Sequence, residues 1–302
     1  MAEPVLLCKS YRDDLRRVKR LLDSLATHNP QGLPVVVAAP KDDLPLFREQ
    51  LGPHRFELVS DEDIVQRHPQ AAARDLLARL RATPGYRSQQ VVKAEAWRLL
   101  GCDTLLCIDA DTVFLRDIAR ADFVDADGQP YTVLHQSREL QQLALDRGHA
   151  ELPRQFRAES ERIKTLFGRT GPDYDFGPTP VIWSSRVWSD LDQRFLQPRG
   201  WTLWDAIEHA ATELRWYGEA LLAYQSIALR PIEPLFRVYH HEWQMLALQR
   251  LGETPATLAQ QFLGVVYQSN WEFELDAPGR RTALSRLGRR IKRWRRRWEA
   301  MW

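Results

Sequence analysis

Leu105-Leu106-Cys107-Ile108-Asp109-Ala110-Asp111-Thr112-Val113-Phe114-Leu115 is the stretch on which the fold turns. Four apolar residues, two acids one residue apart and a second apolar run read as a buried strand that delivers carboxylates to its carboxyl end. Side chains alternate along a strand, so Asp109 and Asp111 are expected to point the same way. Open α/β sheets receive their ligands at that end. Two converging carboxylates suit a hard divalent cation, Mn2+ or Mg2+, which keeps positions open for phosphate oxygens.

Outward from this stretch, short β-branched runs alternate with amphipathic stretches, as in an α/β domain with a mostly parallel sheet. Strands are expected at residues 5–8, 35–39, 56–59 and 105–109. Leu15, Val18, Leu22 and Leu25 recur at spacings of three and four, which predicts a first helix, with Asp13 and Asp14 favouring its start. A second helix is expected over 88–100, capped by Gly101. Further strands are expected at 131–134, 181–184 and 236–240, with a polar helix-like stretch over 140–167 outside the sheet and a helix over 217–228. Ala277-Pro278-Gly279 separates a single domain of residues 1–276 from a tail.

The chain has 302 residues, with 42 Lys+Arg against 40 Asp+Glu and a formal charge of +2. That average conceals an asymmetry. Residues 280–302 hold ten basic residues and one acid, a local +9 that leaves −7 on the rest. At 44% hydrophobic and 27% charged, the chain is not disordered. No apolar run approaches the ~20 residues of a membrane span. A five-residue apolar start followed by acids argues against a signal peptide. Three cysteines, two of them in expected strands, fit a reducing cytoplasm better than a disulfide scaffold.

The acid pair suits glycosyl transfer from a nucleotide sugar, in which negative charge builds on the departing diphosphate and a bridging metal stabilises it. Capping of the next turn by two strand-end acids is the plainer alternative. The haloacid-dehalogenase phosphatase motif is a further rival, with Asp109 as nucleophile. That motif normally opens its domain, whereas about a hundred residues precede Asp109, and Asp190 and Asp192 follow a stretch that reads as a helix start. A non-catalytic glycan or nucleic-acid binding module is a third reading.

Four segments carry a family resemblance: Lys9-Ser10-Tyr11-Arg12-Asp13, Tyr86-Arg87-Ser88-Gln89-Gln90-Val91-Val92-Lys93, Asp109-Ala110-Asp111 and Glu213-Leu214-Arg215-Trp216-Tyr217-Gly218. The last is a divergent Ser-Glu-Tyr-x-Leu-Tyr-Gly, keeping only Glu213, Tyr217 and Gly218. Over residues 4–275 the chain resembles GT-A fold glycosyltransferases, and more narrowly a bacterial group of that fold known mainly as domains of unknown function. The resemblance implies a Rossmann-like, mostly parallel mixed sheet and a nucleotide-sugar donor, expected to be UDP-linked. Ser10, Tyr11 and Arg12 would receive base and ribose, or Asp13 would simply cap the first helix. Gln89 or Gln90 shares a helix face with Lys93, which would serve the diphosphate or face solvent.

Gly177, in Asp173-Tyr174-Asp175-Phe176-Gly177-Pro178, would lie against the donor sugar or merely form a turn. The resemblance also implies a third metal ligand from a C-terminal histidine. His240 and His241 face opposite sides of a strand, and His240 is favoured. Glu213 is the candidate general base for the acceptor hydroxyl if the transfer inverts configuration, or an acceptor-binding group if it retains it. Asp205 is a weaker candidate. Trp201, Trp204 and Trp216 would offer faces to sugar rings or belong to the core.

In the tail, Leu284, Leu287, Ile291, Trp294, Trp298 and Met301 form one helical stripe at spacings of three and four, surrounded by basic residues. This predicts an amphipathic helix on an anionic membrane surface, with Arg289, Arg290, Trp294, Arg296 and Trp298 as contacts. A nucleic-acid arm is the lesser reading. The whole points to an enzyme at the cytoplasmic face, peripheral on the inner side of the membrane, that glycosylates a lipid-linked glycan or glycolipid such as a lipopolysaccharide or capsule precursor.

Overall fold

The apolar runs around residues 5, 35, 57 and 105 form the core of a sheet, with helices on both of its faces. The computed structural model describes residues 3–146, 148–272 and 275. Strands β1 (Val5–Lys9), β2 (Val35–Ala39), β3 (Glu57–Ser60), β4 (Thr104–Asp109), β5 (Thr112–Phe114), β6 (Thr132–Val133), β7 (Val181–Ser184), β8 (Pro231–Ile232), β9 (Phe236–Tyr239) and β10 (Gly264–Tyr267) follow one another along the chain. The main sheet has the order β3-β2-β1-β4-β7. Its first four strands are mutually parallel, and β7 joins β4 antiparallel. The architecture is thus the expected α/β, Rossmann-like, mostly parallel mixed sheet.

Strand alternation divides the core into two layers. Leu7, Val36, Leu105, Cys107 and Trp183 face one side, where the helix Gly85–Leu100 lays down Val91, Val92, Ala94 and Ala96. Leu6, Cys8, Val37, Leu106 and Ile108 face the other, covered by Val18, Leu21, Leu22 and Leu25 of the helix Leu15–His28. Each such buried side chain contributes roughly 1.5–3 kcal/mol of transfer free energy. From β1 the chain steps outward through β2 to β3 and then crosses back to β4 on the other side of β1, so the strand order reverses between β1 and β4. In open α/β sheets ligands bind at such a switch point, in the crevice outside the strands' carboxyl ends. The register puts Lys9 beside Asp109 there.

A smaller sheet, β5-β10-β9, extends the crevice, with β10 antiparallel to β5 and parallel to β9. Gly264 makes the first pairing possible, because a Cβ on it would overlap the Val113 carbonyl oxygen. Helices Arg138–Asp146 and Glu151–Lys164 lie outside both sheets, as expected. Two helix boundaries differ from expectation. The second helix begins at Gly85, where Pro84 presets its entry. The helix expected over 217–228 runs Glu213–Tyr224, and Gln225 terminates it in the left-handed conformation. Asp190 ends one helix and Asp192 lies in the π-helical turn that continues it, so they form no strand-end acid pair. All three cysteines are free and buried. The tail, with Arg289, Arg290, Trp294, Arg296 and Trp298, lies outside the described residues.

Candidate active site

β4 ends at Asp109, and a turn through Ala110 and Asp111 carries the chain directly into β5. Strand alternation therefore does not bring the two acids together, because Asp111 is no longer in the strand. The turn does so instead, and the carboxylates act on each other. Burial raises Asp111 to about 7, with Asp109 adding to the rise and a hydrogen bond from the Ser269 N–H opposing it. Asp111 is 7% exposed. Its Oδ2 accepts from Ser269 N at 2.8 Å, whereas its Oδ1 is buried without a hydrogen-bond partner. A buried carboxylate oxygen left in this condition costs roughly 1–3 kcal/mol or more, so it suits a ligand that arrives with positive charge.

Lys93 reaches this pair from the helix Gly85–Leu100. Its Nζ lies 3.3 Å from Asp109 Oδ1 and 2.9 Å from Glu213 Oε1, and all but about a twentieth of its side chain is buried. Burial opposes its charge, but Asp109 and Glu213 outweigh burial and hold its pKa well above that of an ordinary lysine. The solvated-lysine alternative is thereby removed. Glu213 is 4% exposed, and its visible partner is Lys93. The expectation that Glu213 is an open base meets a carboxylate already committed to a buried cation. Gln90 steadies this end, its Oε1 accepting from Glu213 N at 3.3 Å.

Across the switch point, Lys9 Nζ lies 2.9 Å from Asp61 Oδ2 and donates to the Ser10 carbonyl at 2.6 Å. Asp61 Oδ1 and Ser10 Oγ are both buried without partners. Burial raises Asp61 to about 6 despite Lys9. Asp61 was not foreseen, although it follows β3 as the acid pair follows β4, and the same strand-end rule finds it. Tyr11 follows Ser10 and is half-buried. Arg12 closes the loop onto Asp43, its Nε donating at 2.6 Å and its backbone N–H at 2.8 Å.

Gly177 does not open onto the crevice. A Cβ there would stand 2.6 Å from Leu214 Cδ1, so the glycine lets its loop pack on the helix Glu213–Tyr224. The divergent motif acquires physical roles on that helix. Gly218 leaves room for the Phe176 ring, and the Tyr217 hydroxyl accepts from Ser184 N at 2.8 Å. Trp204 and Trp216 are core residues, and Asp205 caps its own helix through Thr202 while pairing with Arg79. His240 is not assembled with the acids. Among the described residues no three His, Cys, Asp or Glu side chains gather to hold a metal ion. The reason is topological: His240 follows β9, and β10 stands between β9 and the β5 segment that carries Asp111. His240 instead lines a separate cavity, where burial lowers its pKa to about 4, and His241 turns away to stack on Trp243.

The class defined by this sheet order and by a crevice of acids at the switch point is an α/β domain with a glycosyltransferase-like Rossmann fold. Mouse xyloside xylosyltransferase 1, in its apo form, has a similar fold, with a TM-score of 0.50 at 10% identity over 89% of this chain and 99% of that one. No curated protein matches the sequence. The chain belongs to the family described as "Family of unknown function (DUF6492)", whose model matches residues 4–265.

Proposed function

We propose that the chain is a metal-dependent glycosyltransferase. It takes a sugar from a nucleotide-sugar donor, UDP-linked in our reading, and passes it to a lipid-linked or membrane-proximal glycan. The observation that carries this reading is the buried, unpartnered Oδ1 of Asp111 beside Asp109 at the switch point. The donor set fits Mn2+ or Mg2+: two carboxylates offer hard oxygens and leave positions for water and diphosphate. Asp109 and Asp111 would hold the ion, which when bound stabilises charge on the leaving diphosphate.

The chain's own residues supply the remainder. Lys93 offsets the negative charge of Asp109 and Glu213, so that an anionic diphosphate can enter a crevice already holding acids. Glu213 acts as the positioning residue that fixes Lys93. Ser10 Oγ and Asp61 Oδ1, buried and unpartnered beside Lys9, supply polar contacts for the nucleoside. Among the described residues no helix is long and apolar enough to cross a membrane. In our reading residues 280–302 bring the domain to the anionic inner face of the membrane.

Release of nucleoside diphosphate from UDP-sugars, with and without Mn2+, tests the reading. Wild type should turn over only with metal, and Asp111→Ala should lose roughly a hundredfold or more in rate. Metal-independent turnover, or an unimpaired variant, refutes the metal assignment. Release of phosphate from simple monoesters would favour the phosphatase alternative. Removal of residues 280–302 should abolish binding to anionic liposomes while sparing donor hydrolysis, and unchanged liposome binding refutes the membrane assignment.

A further inference from the structure

A second concavity, of about 620 Å³, lies between the segment 134–143, the 174–178 loop and β9 with the helix Glu242–Arg250 behind it. Its polar features come from residues far apart in sequence. His135 and Asp175 pair through their backbones, with the Asp175 N–H donating to the His135 carbonyl at 2.8 Å and the reverse bond at 3.1 Å. His135 Nε2 donates to the Gly177 carbonyl at 2.6 Å, and Ser137 Oγ donates to Asp175 Oδ2. Ser137 holds a left-handed φ of 49°, a conformation unfavourable for a residue with a Cβ and one that sites retain for use.

We propose that this cavity is a sugar-binding subsite that takes an uncharged pyranose ring. Three observations select that chemistry. The charged side chains lining it sum to zero, Arg138 and Arg237 against Glu139 and Glu233, and Arg237 pairs with Glu139 at 2.9 Å. No net charge is left to attract a phosphate or a uronate. Hydrogen-bonding groups are nevertheless open to a guest. The His240 ring has no hydrogen-bond partner among the described residues, and Arg237 Nε is buried without one. Leu134, Pro178 and Phe262 add apolar surface for the C–H faces of a ring. Apolar walls with a few neutral donors and acceptors are what a small polyhydroxylated ligand needs.

The cavity adjoins the crevice through two chains of contact. Asn270 Nδ2 donates to the His240 carbonyl at 3.3 Å, and its neighbour Ser269 donates to Asp111. On the other side Gly177 packs on Leu214, whose neighbour Glu213 holds Lys93 against Asp109. A sugar seated here therefore touches residues that adjoin those holding the acids. That it is the acceptor's sugar rests on the transferase reading, whereas sugar binding itself does not.

Saturation-transfer NMR on the full chain, without donor or metal, tests the proposal with a panel of neutral methyl glycosides and disaccharides. Glucuronate and inorganic phosphate serve as charged competitors. At least one neutral glycoside should bind, neither competitor should displace it, and Leu140→Trp, which fills the cavity from its wall, should abolish the signal. His240→Phe keeps the ring's bulk but removes its nitrogens, and should weaken binding roughly tenfold. If Leu140→Trp fails to fold by circular dichroism, His240→Phe decides. Absence of binding across the panel, preference for a charged competitor, or binding unchanged in the folded variants overturns the subsite. Glycoside binding without donor hydrolysis refutes the transferase reading alone, and hydrolysis without glycoside binding refutes the subsite alone.

Discussion

The crevice at the switch point and the cavity beside it handle charge in opposite ways. In the crevice, Asp109, Asp111, Asp61, Glu213, Lys9 and Lys93 are drawn together around few cations, and two carboxylate oxygens are left buried and unpartnered. In the cavity the charged wall residues, Arg138, Arg237, Glu139 and Glu233, sum to zero, and the groups left open belong to an imidazole and one guanidinium N–H. One region stores an electrostatic debt that a cationic ligand cancels. The other is already balanced and selects by shape and hydrogen bonding. Proximity of two such regions suits a reaction with one charged and one neutral substrate.

Removing a cation from each region tests this contrast most severely. Lys93→Met strands Asp109 and Glu213 and should cost about 3–5 kcal/mol of stability, the usual result of orphaning one side of a buried ion pair. Arg237→Met should cost about 1 kcal/mol or less, because Glu139 is 61% exposed and Glu253 keeps the Tyr239 hydroxyl as a donor. Urea denaturation of both variants measures the difference, and equal losses would erase the distinction. Gly218→Ala pushes on Phe176, between the two regions, and should cost roughly 1–3 kcal/mol. It should also weaken donor hydrolysis and glycoside binding together, and loss of only one would show that the regions are not mechanically joined.

A further expected effect is a dependence on pH. Asp111 at about 7 and Asp61 at about 6 hold protons in the folded chain that the unfolded chain releases near pH ~4. Their contribution to stability is whole below that pH and is lost as pH rises through those values. Without metal, the melting temperature of wild type should therefore fall relative to Asp111→Asn between pH ~4 and 7. Parallel curves would show that the crevice does not desolvate its acids.

The two regions also differ in how far the sequence disclosed them. Asp109, Asp111 and Lys93 could be read because a strand and a helix each fix their site residues within one continuous segment, and periodicity reports such segments. Asp61 was equally open to that rule. The cavity was not, since His135, Ser137, Asp175, Arg237 and His240 come from three segments spread over about a hundred residues, and no local pattern encodes their meeting. His240 was placed with the acids on the strength of the family resemblance, which does not report that β10 lies between β9 and β5. Glu213 was read from the divergent motif, and residue type does not disclose the lysine that pairs with it. The fold itself was legible because continuous apolar strands, buried on both faces, alternate along the chain with amphipathic helices.

The hydrogen bond from Ser269 to Asp111 spans 158 residues, and β10 must pair with β5 before it can form. A ribosome delivers Asp111 long before it delivers Ser269, so the emerging chain carries the acid pair for most of its synthesis without the backbone that orients it. The order of translation thus acts as a timer: the strand-end acids arrive early, and the segment that sets one of them arrives among the last described residues.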